Sequence, residues 1–373
     1  MRIAIALFKF FPYGGIARDA LKIAAEASAR GHDVVFYTLR WEGDRPEQAE
    51  VVLAPDAGWF NHNRYARFAA WLPEQRRRDG VDVVLGMNKM PGLDVYYAGD
   101  SCFEEKARTQ RSWFYRLTPR YRHFSAFERA VFDPDSTTTV LTISPFQIDA
   151  FQHFYGTPGD RFVELPPGID RSRAAEAVPA GTREQYREDL GVSEDEHLLA
   201  FVGSGFIRKG LDRVLLALHA LPEAFAQRVK LAVVGQDRGD AFERMASRLG
   251  IDRRVSFLGG RDDVPAWLQA ADGLVLPAYD ENAGMVIIES MIAGLPVLVT
   301  ENCGYAHYVD RYDAGIVSSL PFSADRFSQQ VEELLTSPRR LAWQRNGRAL
   351  ANDERIYRLA ACAVDELERH ASL

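Results

Sequence analysis

Residues 273–300 read Gly-Leu-Val-Leu-Pro-Ala-Tyr-Asp-Glu-Asn-Ala-Gly-Met-Val-Ile-Ile-Glu-Ser-Met-Ile-Ala-Gly-Leu-Pro-Val-Leu-Val-Thr. An apolar run, Leu274–Pro277, gives way to a polar loop. Ala283-Gly284 then opens a stretch of helical spacing, Met285–Ala293, which Gly294-Leu-Pro296 stops before a second apolar run, Pro296–Thr300. Strands that are apolar on both faces, joined by a helix, belong to a parallel sheet covered on each side. This unit predicts an α/β, doubly wound domain, in which ligands collect beyond the carboxyl ends of the strands.

The same rhythm runs outward in both directions. Upstream lie strand candidates Leu198–Val202, Leu231–Val234 and Val255–Leu258, with helix candidates Leu211–Leu221, Ala241–Leu249 and Val264–Ala271 between them. The first half alternates likewise. Strands are expected at Ile3–Phe8, Val34–Thr38, Val81–Leu85, Val95–Ala98 and Thr139–Thr142, with a helix at Ile16–Arg30 that Gly31 ends. Leu165-Pro-Pro-Gly-Ile-Asp170 can continue neither a helix nor a central strand, so it reads as a linker. A polar helix is expected at Thr182–Leu190. The expected domains are therefore 1–168 and 169–355, both Rossmann-like. Residues 356–373 form a last amphipathic helix, Ile356–Leu367, that packs back on the first domain or stays with the second.

Three constellations carry chemistry. Glu281 stands on a loop after a strand, and Glu289 lies about one turn into the helix that follows. Carboxylates accept hydrogen bonds from sugar and ribose hydroxyls, and Gly284 with a helix N-terminus suits phosphate. Gly203-Ser-Gly205-Phe-Ile-Arg208-Lys209-Gly210 follows the first strand of the second domain, and its two cations suit a diphosphate leaving group. Fixed cations there remove the need for a divalent metal, so no metal and no cofactor are expected. The order lacks the third glycine of a dinucleotide fingerprint. Pro12-Tyr-Gly14-Gly15-Ile-Ala-Arg18-Asp19 places two glycines between the first strand and helix, with Asp19 expected in the first helical turn. There an acid also stabilises the helix dipole, an equally good account of it. Gly259-Gly260-Arg261 and Asp100 follow other strands, Arg261 serving either a nucleotide base or merely the loop.

The 373 residues are 47% apolar and 26% charged, enough for two cores. Net charge is −7, against general nucleic-acid binding, and no nucleic-acid partner is expected. Cys102, Cys303 and Cys362 have no metal-ligand spacing, pointing to a reducing compartment without disulfides. The opening run Ile3–Phe8 is interrupted by Lys9 and reads as a strand, not a leader. Residues 103–132 differ from the rest. Lys106, Arg108, Arg111, Arg116, Arg120, Arg122 and Arg129 face only Glu104, Glu105 and Glu128. Phe103, Trp113, Phe114, Tyr115, Tyr121, Phe124, Phe127 and Phe132 are interleaved with them. Such a composition suits anionic lipid or a single nucleic-acid strand, of which the acidic remainder of the chain favours lipid, and equally a segment whose aromatics are partly core.

Together these residues resemble the retaining glycosyltransferases of family four, whose fold is GT-B: two Rossmann-like doubly wound domains facing a central cleft. Glu281 and Glu289 match the E-x7-E element, and Arg208-Lys209 the basic pair. Trp41–Asp44, Asn88–Val95, Tyr115–Thr118, Arg120–His123, Ala126–Ala130 and Cys303–Tyr308 are similar to the branch of that family that glucosylates lipopolysaccharide core. The resemblance covers nearly the whole chain. It implies a UDP-sugar donor, UDP-glucose in the type member, and a lipid-A-linked inner-core heptose as acceptor, with an α linkage at O3 and retained configuration. It implies work on the cytoplasmic face of the bacterial inner membrane. Lys106, Arg108, Arg111, Trp113, Phe114, Tyr115, Arg116, Arg120 and Arg122 would face the anionic membrane surface. By carry-over, Glu281 would hold donor hydroxyls, Glu289 the ribose, and Arg208 and Lys209 the diphosphate, with Arg173 near the cleft. Gly14, Gly15, Gly203, Arg261, Ala283, Gly284, Met285 and Val286 would complete the donor site, and Asp19 would sit by the reacting centre. Asp100 stands where many members place a histidine, which makes it an acceptor-side candidate of open role. Differences at 280–285 leave the donor open between glucose and an N-acetylhexosamine. A sugar-nucleotide epimerase and a non-catalytic nucleotide-sugar or membrane-binding protein remain the readings from other classes.

Overall fold

A computed structural model describes residues 1–12, 14–56, 58–171 and 178–372, the side chain of Phe146 excepted. The chain forms two compact units, Met1–Gly168 with Tyr357–Leu373, and Ile169–Ile356.

The first unit holds seven parallel strands in the order β3-β2-β1-β4-β5-β6-β7. They are β1 (Arg2–Phe10), β2 (Asp33–Trp41), β3 (Glu50–Leu53), β4 (Val83–Gly86), β5 (Val95–Ala98), β6 (Thr139–Thr142) and β7 (Phe162–Glu164). Ile3 lies opposite Val34 on one side and Val83 on the other, so β1 is central and its residues Ile3–Ala6 are buried on both faces. Helices α1 (Gly15–Ala29), α2 (Asn61–Asp79), α3 (Phe103–Thr109), α4 (Pro119–Phe132) and α5 (Phe146–Tyr155) belong to this unit. In α1 the residues Ala17, Ala20, Ile23, Ala24 and Ala27 recur at helical spacing and form its buried face. On one face of the sheet, Phe132 of α4 stacks on Phe151 of α5 at 3.7 Å.

The second unit holds six parallel strands in the order β10-β9-β8-β11-β12-β13. They are β8 (His197–Val202), β9 (Val229–Val234), β10 (Val255–Phe257), β11 (Gly273–Leu276), β12 (Val297–Thr300) and β13 (Gly315–Ser318). Counted within the unit, this is the 3-2-1-4-5-6 order of a doubly wound dinucleotide-type sheet. In both sheets the winding reverses beside the first strand, between β1 and β4 and between β8 and β11. A reversal leaves a crevice where helices depart to opposite faces.

Three strands escape the sequence pattern: β3, β7 and β13. Each is short, and β3 and β7 are half-exposed edges, with at most three apolar residues in the strand. The tail departs from expectation in its start. A 3₁₀ turn spans Glu354–Tyr357, and the helix runs Leu359–Ala371, burying Leu359, Ala363, Val364 and Leu367. It packs on α1 in the first unit, where Arg30 bonds Asp365 at 2.7 Å and His32 meets Glu368 at 2.7 Å. Among the described residues no helix is long and apolar enough to cross a membrane.

Candidate active site

The β8–β11 reversal brings Arg208, Lys209 and Glu281 of the second unit together. β8 ends in Gly203, and a short helix, Phe206–Lys209, follows. Gly203 adopts φ +120°, and a Cβ there would lie 2.8 Å from Lys209 Cε, so only glycine lets the lysine fold back past the strand end. Gly210 has φ +79°, and a Cβ would meet the Pro277 carbonyl oxygen at 2.1 Å. Its absence lets this loop close against the end of β11.

Glu281 lies between the two cations. Lys209 Nζ is 2.5 Å from Glu281 Oε2, and Arg208 Nη1 is 3.0 Å from the same oxygen. Arg208 Nη1 also donates to the Asp280 carbonyl at 2.9 Å. Glu281 and Lys209 are only 7% and 8% exposed. Burial alone would raise the Glu281 pKa. The charges of Lys209 and Arg208, with their hydrogen bonds, outweigh it and hold the carboxyl below its usual range. Two cations thus share one carboxylate at a strand end.

The loop carrying Glu281 is tied from several sides. Gly304 N–H donates to the Glu281 carbonyl and Tyr305 N–H to that of Ala283, both at 2.8 Å. Tyr279 N–H donates to the Arg208 carbonyl at 2.8 Å. Arg213 Nη1 donates to the carbonyls of Pro277 and Ala278, and its guanidinium lies 3.6 Å from the centre of the Tyr279 ring. Asp237, beyond β9, accepts the N–H groups of Gly205 and Phe206, each at 2.7 Å. Asp237 and Arg213 were not expected from the sequence, because each acts on a segment distant in the chain. The only available signal was a polar residue just after a strand or in the first turn of a helix.

The remaining donor-side residues divide. Gly284, at φ +82°, is the N-cap of the helix Met285–Ile292, with Glu289 on that helix and partly buried. Ala283 and Met285 are partly exposed beside it, whereas the Val286 side chain is buried in the core, leaving its N–H as the group to offer a ligand. Arg261 is more committed than a free loop cation. It pairs with Asp263 through two bonds, at 2.8 and 2.7 Å, which hold the Asp263 carboxyl at about 2. Arg173 lies outside the described residues.

In the first unit, Gly14 is the N-cap of α1 and Gly15 its first residue, with open space where a Cβ would stand at Gly15. Asp19 is therefore past the first turn, a correction to the sequence reading, and the helix dipole does not account for it. Tyr97 of β5 donates its hydroxyl to Asp19 Oδ2 at 2.7 Å. Burial raises the Asp19 pKa, opposed by the Tyr97 bond and by the charges of Lys22 and Arg18. The neighbouring Gly99 packs against Ile16 of α1, and Asp100 stands exposed after it. The β1 and β5 ends thus bring Gly14, Gly15, Asp19 and Asp100 into one neighbourhood.

The basic, aromatic segment splits in two. Phe127 and Phe132 are core. Glu128 is fully buried and accepts from Lys89 Nζ at 2.5 Å, from the N–H groups of Phe103 and Glu104 at 2.7 and 2.9 Å, and from Tyr155 at 2.6 Å. It pins the start of α3. Glu104, also buried, holds Tyr121 and Arg108. Two of the three acids are thus internal braces. Arg111, Trp113, Phe114, Arg116, Arg120 and Arg122 are exposed, and Lys106 and Tyr115 are half-buried.

Comparison with known proteins agrees with this geometry. The family described as "Glycosyltransferase Family 4" matches residues 13–173, and "Glycosyl transferases group 1" matches 182–350. The chain is 44% identical over 367 residues to the lipopolysaccharide glucosyltransferase WaaG of Escherichia coli K12, covering 98% of each chain. It is 26% identical to an uncharacterised glycosyltransferase of Methanocaldococcus jannaschii, covering 90% and 89%. A crystal structure of WaaG, a glycosyltransferase involved in lipopolysaccharide biosynthesis, superposes with a TM-score of 0.88 over 98% of this chain and 99% of that one. Anabaena HepE, solved with UDP-glucose, superposes at 0.73 over 98% and 100% with 20% identity, a likeness of fold. By its identity to WaaG across nearly its full length, the chain belongs to the family-four glycosyltransferases of GT-B fold.

Proposed function

We propose that this enzyme transfers a single glucose from UDP-glucose to an inner-core heptose of lipopolysaccharide, forming an α-1,3 linkage with retention of configuration. The carrying observation is the Arg208–Glu281–Lys209 cluster at the strand reversal, within a chain 44% identical to WaaG. In this reading Arg208 and Lys209 take the charge that develops on the departing diphosphate, assisted by the helix N-terminus at Met285. Glu281 keeps both cations in place and offers its remaining acceptor capacity to donor hydroxyls, and Glu289 binds the ribose. The acceptor hydroxyl attacks from the face the diphosphate leaves, giving its proton to a leaving phosphate oxygen. The carbon–oxygen bond to the diphosphate breaks as the new glycosidic bond forms, and no protein nucleophile is needed. Asp19, held by Tyr97, orients the sugar and acceptor side. With two fixed cations, the reaction needs no metal. The exposed arginines and aromatics of 103–132 hold the enzyme on the anionic cytoplasmic face of the inner membrane, where its lipid-linked acceptor lies.

The test is a mass-spectrometric transfer assay on heptose-terminated core lipopolysaccharide with UDP-glucose, UDP-galactose and the two UDP-N-acetylhexosamines. One hexose added from UDP-glucose is the expected product. Addition of an N-acetylhexosamine replaces the donor and keeps the site. Conversion of donor without acceptor, or UDP binding without any turnover, overturns the reading.

A further inference from the structure

Trp59 and Phe60 enter α2 on a short loop, 99% and 63% exposed. Single exposed apolar residues are ordinary, but two adjacent large aromatics on a braced loop are not accounted for by the fold. Asp56 pairs with Arg64 across the loop. The Phe60 carbonyl accepts the N–H groups of Asn63 and Arg64 at 3.0 and 3.1 Å, and its ring stacks on His62 at 5.6 Å. The loop presents the two rings rather than trailing them.

From Phe60 a run of ring contacts between half-buried rings leads to Tyr115. His62 meets His123 at 6.1 Å, His123 meets Phe124 at 5.0 Å, Phe124 meets Phe103 at 5.7 Å and Phe103 meets Tyr115 at 6.4 Å. Next to Tyr115 in the chain, Trp113 and Phe114 stack on each other at 3.7 Å, both 60% exposed. Exposed arginines 111, 116, 120 and 122 lie along the same segment, and Arg67 is exposed on α2. Asp56, Glu104 and Glu128 are paired with Arg64, Arg108 and Lys89, so exposed Glu105 stands against Arg67, Arg111, Arg116, Arg120 and Arg122, and the segment keeps a positive excess.

We propose that Trp59 and Phe60 form a second insertion point for an anionic lipid surface, continuous with Trp113 and Phe114. This rests on the membrane reading of residues 103–132. Indole and phenyl rings settle at the headgroup level, and arginines attract the anionic headgroups. Two anchors joined through a packed aromatic belt fix how the first unit meets the bilayer, where one anchor would leave it free to rotate.

The experiment compares wild type, the double variant Trp59→Ser/Phe60→Ser and the double variant Arg116→Ser/Arg120→Ser. Each is the full chain, partitioned onto phosphatidylglycerol-containing vesicles, with melting temperature and sedimentation measured alongside. Both aromatics are exposed, so the fold does not depend on them. The expected result is a loss of partition of roughly tenfold for Trp59→Ser/Phe60→Ser at unchanged melting temperature. Wild-type partition of that variant, while Arg116→Ser/Arg120→Ser loses binding, overturns this anchor and leaves the membrane reading standing. Failure of wild type to bind the vesicles overturns both. A wild-type dimer that Trp59→Ser/Phe60→Ser dissociates, with vesicle binding unaltered, makes the patch a self-interface and also overturns the proposal.

Discussion

At the β8–β11 reversal, Lys209 and Arg208 converge on one oxygen of Glu281. At the strand ends of the first unit, the carboxylate of Asp19 is held instead by the neutral hydroxyl of Tyr97, with Asp100 exposed nearby. The two sheets have the same topology at their reversals, so the difference lies in what the loops carry. One loop set gathers two cations on a carboxylate and fixes the loop by ties to its backbone through Gly304, Tyr305 and Arg213. The other is spare, with open space at Gly15 and a carboxylate whose pKa is pushed up by burial. Preorganised charge is what a departing diphosphate demands, because a cation that must first be recruited stabilises the transition state less. Room and one acceptor group are what an incoming sugar demands. A shared architecture thus carries two unlike sets of polar groups, because the loops differ where the scaffold does not.

The comparison breaks most readily at Lys209. Lys209→Ala should lower kcat by about 10²-fold or more, measured at saturating donor, because in the proposed mechanism it removes a leaving-group cation. Near-wild-type turnover would remove Lys209 from the mechanism. Glu281→Gln should cost roughly tenfold in kcat while UDP affinity, read by calorimetry, is kept or improved, since both cations lose their carboxylate partner. A loss of UDP affinity equal to the loss in kcat would instead make Glu281 a scaffold for the nucleotide site.

On the spare side, Tyr97→Phe tests Asp19. The Tyr97 bond lowers a pKa that burial raises, so its removal should move the acid limb of the pH–rate profile to higher pH. An unmoved limb would mean that Asp19 does not titrate in the reaction. The smallest effect is on stability. Burial first, then the charge of His62, lowers the His123 pKa from 6.5 to about 4, so the fold holds the neutral ring. Its contribution is whole above about pH 6.5 and is lost as pH falls toward 4. The melting temperature should fall over that range, and His123→Phe should flatten the slope. An equal slope in both proteins would place the acid sensitivity elsewhere.

The buried strands were legible because their residues are apolar on both faces. Val95–Ala98 and Thr139–Thr142 appear as expected, and the helix predicted at Met285–Ala293 ends one residue sooner, at Ile292. The edge strands β3, β7 and β13 were not, because pairing with one neighbour supports chain whose own residues carry little pattern. Within the candidate site, Glu281, Arg208 and Lys209 could be named from their places after strands. Their meeting on one oxygen could not, since residues 72 positions apart show no periodicity to each other. The same applies to Asp237, which holds the Gly205 loop, and to Tyr97, which reads as a strand residue until its hydroxyl reaches Asp19. In the sequence Glu128 reads as one of three acids diluting a basic segment, whereas the fold buries it to anchor α3.

The claim that two fixed cations do the electrostatic work of a metal is tested by the initial rate of hexose transfer from UDP-glucose in EDTA and with added Mg²⁺ or Mn²⁺. Full activity in EDTA, with no more than about a twofold change on adding either ion, is expected if Arg208 and Lys209 already supply the charge. Loss of transfer in EDTA, restored by a divalent cation, would contradict it.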